Sequence, residues 1–166
     1  MIPIGDDPRR RSWPWVMVTI LVANVVVFLY QVSLGPAMGP WIQSMGLIPV
    51  EILTGKDVPL VDPGPVVVTF LTSMFVHGSF LHIASNMLYL WVFGDNVEDT
   101  LGHAGFAVFY LVCGAVAGLT HVFMNPDSLL PSVGASGAIA GVLGAYVCIF
   151  PSARVRTLIL FSHSLP

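Results

Sequence analysis

Charge is scarce in this chain. Of 166 residues only 6 are Lys or Arg and 9 are Asp or Glu, 9% in all, where a soluble domain carries roughly a quarter. So few charges cannot cover a water-facing surface, which excludes an ordinary soluble enzyme. Nor do the basic residues form a stripe with interleaved aromatics, which excludes a nucleic-acid interface. Cysteine is nearly absent: Cys113 and Cys148 both lie in apolar runs, where a thiol acts as a small hydrophobe. No disulfide framework follows, and the redox compartment stays open. Internal repeats and low-complexity tracts are also missing. What is abundant is apolar: 55% of the residues are hydrophobic and the mean hydropathy is +0.85. The solvent of this protein is a lipid bilayer.

The few basic residues are placed informatively. Arg9, Arg10 and Arg11 close a polar tail at 1–12, Arg154 and Arg156 follow a later apolar run, and Lys56 is the only other one. The run Trp13–Leu34 is long enough for a hydrocarbon core of ~30 Å. It exceeds a signal-peptide core of about 15 residues and no small-x-small site closes it. It reads as a first span with its amino end cytoplasmic. Residues 35–79 read as an outer loop, in which 41–48 and 50–53 are short interfacial helices and 66–76 dips toward the membrane. Phe80–Phe93 reads as a short second span ending in a turn at Gly94-Asp-Asn-Val-Glu-Asp. Ala104–Met124 is the expected third span and Val133–Phe150 the fourth, with Thr157–Phe161 the start of another. The expected fold is therefore an all-α polytopic bundle of four complete transmembrane helices and the beginning of a fifth, spread over 13–166. This count puts Arg154 and Arg156 on the same side as Arg9–Arg11, in agreement with the positive-inside rule.

Polar groups inside such spans are costly and usually face a cavity or a partner. His82, Asn86, His121 and Ser136 stand out. His82 and Asn86 are four apart, on one helix face, and share a depth with Ser136. A serine beside two neutral donors has the makings of a nucleophile with an oxyanion pocket. The blander readings stay open: an interhelical hydrogen-bond pair, and a serine bonded back to its own helix on a small-residue face, Ser136-Ala140-Gly144 and Gly137-Gly141-Ala145.

Three stretches in order, His77-Gly-Ser-Phe-Leu-His82-Ile-Ala-Ser-Asn86, Phe93-Gly-Asp-Asn-Val-Glu98-Asp-Thr-Leu-Gly102 and Gly134-Ala-Ser136-Gly137-Ala-Ile-Ala-Gly141, resemble the rhomboid family of intramembrane serine proteases. The resemblance runs from about residue 65 to 156. It implies a helical bundle in which Ser136 is the nucleophile and His82, Asn86 and the Ser136 backbone N–H hold the oxyanion. His77 would line the cavity mouth and Glu98 would cap or pair at the inner turn. The implied reaction is hydrolysis of a transmembrane protein substrate near the outer face, without metal or cofactor.

The family pattern places its general-base histidine on a sixth helix, and this sequence shows no such histidine. The expectation is a chain lacking its carboxy-terminal helices. His163 falls near the inner face, far from Ser136. His121 has a better depth but belongs to no family motif. The Trp-Arg pair that many rhomboids carry in the first loop is also absent. Val68-Thr69 stand near there. A non-cleaving adaptor that binds transmembrane helices is the rival reading, and a channel or transporter component a weaker one. An uncovered glycine face on the fourth helix leaves homo-oligomerisation open. The short tail leans toward a bacterial inner membrane.

Overall fold

A computed structural model describes residues 2–8, 10–55 and 66–159. Among these there are seven α-helices, and one two-stranded ribbon closes an end of the molecule.

Strand β1 (Ile2–Asp6) leads into α1 (Trp15–Ser33). Pro14 gives α1 no side-chain cap, so its first N–H groups need partners from elsewhere. Helix α5 (Phe80–Leu101) supplies them. Glu98 accepts the Val16 N–H at 3.0 Å and the Met17 N–H at 2.6 Å. Asp99 accepts the Arg11 and Ser12 N–H groups and the Ser12 hydroxyl. Two carboxylates therefore sit at the positive end of the α1 dipole, and Glu98 also meets His103 Nδ1 at 2.5 Å.

The α5 result corrects the turn expected at residues 94–99, since the helix continues to Leu101. Each polar side chain there has a partner that lets it stay helical. Asp95 faces Arg10 at 3.5 Å and Asn96 donates to Asp6 at 3.0 Å. Gly94 has no room for a side chain, because a Cβ there would lie 2.8 Å from the Met17 side chain. The helix ends at Gly102, whose φ of +71° suits glycine.

Helices α2 (Met38–Met45) and α3 (Pro49–Thr54) are the short helices expected in the first loop, followed by the single turn α4 (Thr69–Thr72). Helix α6 (His103–Met124) packs closely on α7 (Ser136–Ile149). Gly137 abuts Ala117 and Gly141 abuts Cys113, the close approach that small residues permit. Met17, Leu90, Val97, Phe106, Tyr110 and Val142 form the fully buried centre.

Helices α1 and α6 are long and apolar enough to cross a membrane, with hydropathies of 2.1 and 1.9. Helix α5 is long but acidic at its end, and α7 has only 14 residues, so four complete spans are not what the helices themselves display. The start of a fifth helix is corrected outright for the described part. Residues Val155–Leu158 form strand β2, antiparallel to β1. Residues 160–166, with the end of that run and His163, lie outside the described residues. The ribbon is anchored by Asp6, which accepts the Tyr146 hydroxyl at 2.6 Å as well as the Asn96 amide.

Candidate active site

Opposite the ribbon, three non-helical stretches meet. Leu47 and Ser132 exchange N–H···O bonds at 3.0 and 2.8 Å, and the Gly134 N–H reaches the Ser73 carbonyl at 2.8 Å. These bonds hold 131–135 out of the helix, so α7 begins at Ser136, three residues later than expected from the sequence. Gly134 adopts φ +117°, which a side chain would resist.

Gly134 is also where the candidate donors arrive. A Cβ there would stand 2.6 Å from His82 Cε1 and Nε2 and 3.7 Å from Asn86 Nδ2. The His82 ring and the Asn86 amide are thus stacked against the segment that delivers Ser136. Ser79 starts α5 in the right place: its hydroxyl accepts the His82 N–H at 3.2 Å, an N-cap that fixes the helix origin. From there the i, i+4 spacing sends both side chains the same way. Asn86 is buried and its Nδ2 has no hydrogen-bond partner among the described residues. A buried donor without an acceptor is costly, and a donor of this kind is able to meet negative charge that develops beside it.

Ser136 occupies the first position of α7 with its side chain exposed, and α7 has no side-chain cap. The free N–H groups and the positive end of the helix dipole therefore lie at the serine. Ser136 also borders a cavity of about 170 Å³, walled by Ser73, Met74, Gly114, Ala117 and Gly137 among others. His82, Asn86 and His121 are not in its walls. His121 turns toward Asn125, with Nδ1 and Nδ2 3.5 Å apart, and that is its ring's hydrogen bond among the described residues. Below Ser136, Ala140 and Gly144 are exposed on the same face, and nothing stands within 4 Å of a Cβ at Gly144.

His77 does not simply line a mouth. It is fully buried, its ring lying edge-to-face with His82 at 5.0 Å between centroids. It sits in the connection before α5. Burial first, and the nearby His82 second, push its imidazole down to about 4, so it is neutral at pH 7. Sequence reasoning missed what grips it. Gln31, fully buried near the end of α1, accepts the His77 N–H at 3.2 Å and donates to its carbonyl at 2.5 Å. The available signal was two amides, Asn24 and Gln31, seven apart in an otherwise apolar run.

The Rhomboid domain family model matches residues 65–165. The chain belongs to the rhomboid family. Among rhomboid relatives, Rhomboid protein 1, mitochondrial, of Saccharomyces cerevisiae is 31% identical over 152 residues, 89% of this chain and 39% of that protein. Rhomboid-like protein 11, chloroplastic, of Arabidopsis thaliana is 36% identical over 80 residues, 48% of this chain and 28% of its own length. Presenilin-associated rhomboid-like protein, mitochondrial, of Homo sapiens is 35% identical over 92 residues, covering 54% and 24%. The chain thus spans at most 39% of the length of these rhomboid relatives. No solved structure gives a significant match. These relatives are named for organelles, so they lend no support to a bacterial inner membrane. A membrane location itself follows from the rhomboid family and the two apolar helices.

Proposed function

We propose that this protein is an intramembrane serine endopeptidase, with Ser136 as nucleophile and His82 and Asn86 as oxyanion donors. The observation that carries the reading is Gly134: one tight, left-handed glycine brings the His82 ring and the Asn86 amide against the segment that ends in Ser136. On this reading Ser136 Oγ attacks the carbonyl of a transmembrane substrate near its outer end, where the peptide is unwound. The developing negative charge meets His82, Asn86 and the first N–H groups of α7, and each such donor is typically worth roughly 10²–10³ in rate. The intermediate collapses to an acyl-enzyme as the amine leaves, and water then releases the acid. The proton from Ser136 must go to a base. The ring-nitrogen hydrogen bonds of the described imidazoles go to Phe75, Glu98 and Asn125 and not to the serine, so on this reading the base is contributed from outside the described residues. The exposed face of Ser136, Ala140 and Gly144 leaves room for a helix that would carry it. Helices α5 and α7 complete the expected four spans when buried among longer neighbours, with the arginine-bearing end on the inner side.

The experiment is cleavage of a transmembrane reporter in proteoliposomes by the full encoded protein and by its Ser136→Ala variant. Cleavage lost with Ser136→Ala is expected. Binding of the reporter without cleavage, unchanged by Ser136→Ala, would instead make the protein a non-cleaving adaptor.

A further inference from the structure

The His82 ring makes no side-chain hydrogen bond among the described residues. Its orientation is set by packing between the His77 ring on one side and Gly134 on the other. A donor aimed at an oxyanion needs a fixed direction, so whatever fixes His77 fixes the donor. The His77 peptide lies between α4 and α5, where helix bonding is interrupted and its N–H and C=O would be left unmade in a buried place. The side-chain amide of Gln31 satisfies both, one bond in each direction. Only an amide or a protonated acid offers a donor and an acceptor two bonds apart in this way. Gln31 is also fully buried in the last turn of α1, where an unspent amide would be expensive in hydrocarbon. It does not line the Ser136 cavity.

We propose that Gln31 is a positioning residue for the oxyanion side of the site: it clamps the His77 peptide, and through the His77 ring it holds His82 against Gly134. This rests on the protease reading above. The first helix, which contributes no group to the reaction on that reading, thereby sets the geometry of one of its donors.

The test compares Gln31→Glu and Gln31→Leu with the wild-type full encoded protein, measuring kcat per fluorophosphonate-titrated serine, KM and thermal stability. In the Gln31→Glu variant a protonated carboxyl keeps both bonds, whereas the carboxylate loses the donor and turns a second acceptor on the His77 carbonyl. Burial raises a carboxyl pKa, so the acid form persists at mildly low pH. For Gln31→Glu, kcat relative to wild type at the same pH should fall by about 10²-fold near pH 8 and recover on lowering the pH to about 5.5. KM should stay within about twofold, because Gln31 touches no substrate. Gln31→Leu should be slow at every pH. Wild-type kcat per titrated serine in both variants, or a loss that follows thermal stability with no pH dependence in Gln31→Glu, would overturn the proposal. Failure of the protease reading is read separately, as absence of Ser136-dependent cleavage in the wild type.

Discussion

Replacing Gly134 by Ala probes the fold and the site at once. The glycine has φ +117°, a region that costs an ordinary residue about 1–2 kcal/mol. The added methyl would meet His82 Cε1 and Nε2 at 2.6 Å, against the 3.4 Å where ordinary contact begins. The loop cannot easily yield, because the Gly134 N–H is bonded to Ser73 and Ser132 is bonded both ways to Leu47. The His82 ring must move instead, by roughly 1 Å, and overpacking of this kind costs about 1–3 kcal/mol. Together the penalty is about 2–5 kcal/mol. A donor displaced by roughly 1 Å also costs about 10²-fold in kcat. The assays are thermal unfolding in detergent and cleavage per titrated serine. Gly105→Ala is the control, since it is exposed in α6 and its Cβ would meet nothing closer than the Leu101 Cβ at 3.4 Å; it should stay within about 0.5 kcal/mol of wild type. If Gly134→Ala unfolds within about 0.5 kcal/mol of wild type, the placement of Gly134 against His82 is wrong.

Three further predictions concern stability. Glu98→Ala orphans the Val16 and Met17 N–H groups at the buried start of α1 and should cost about 3 kcal/mol or more, read as the thermal midpoint. Tyr146→Phe removes the hydroxyl that Asp6 accepts but keeps the ring packed at 4.9 Å on Phe93. It should cost about 1–2 kcal/mol, and free the ribbon to proteolysis near residue 6 while α5 and α7 stay resistant. His77, in the loop before α5, titrates in the fold at about 4 against an ordinary 6.5. Its neutral form favours folding, so its contribution is present above 6.5 and is lost as pH falls from there toward 4. The thermal midpoint of wild type should drop across that window, and a His77→Phe variant should be flatter.

The apolar helices were legible because bilayer-length hydrophobic runs admit one solution: the expected span 13–34 is α1 at Trp15–Ser33, and 104–124 is α6 at His103–Met124. The end of α5 was not, since Gly94-Asp-Asn carries every local sign of a turn. Those residues stay helical for tertiary reasons: Gly94 admits Met17, and Asp95, Asn96, Glu98 and Asp99 each meet residues of the amino-terminal 17. The β1–β2 ribbon escaped for a similar reason. Residues Ile2 and Leu158 pair across the whole chain, and neither strand has a pattern that names its partner. At the candidate site, the His82–Asn86 spacing could be read directly from helix periodicity. Gln31 could not, because its partner is a backbone peptide, and a peptide leaves no signature in the sequence.

Every step proposed for the site requires Ser136 to be an activated nucleophile. The most direct measurement is fluorophosphonate labelling of the full encoded protein in membranes, with the modified residue located by mass spectrometry. The expected result is a phosphonyl adduct on Ser136, absent from Ser136→Ala and strongly reduced in Gly134→Ala. Correctly inserted protein in which Ser136 stays unmodified would contradict it, and would leave a rhomboid bundle that holds transmembrane helices without cutting them.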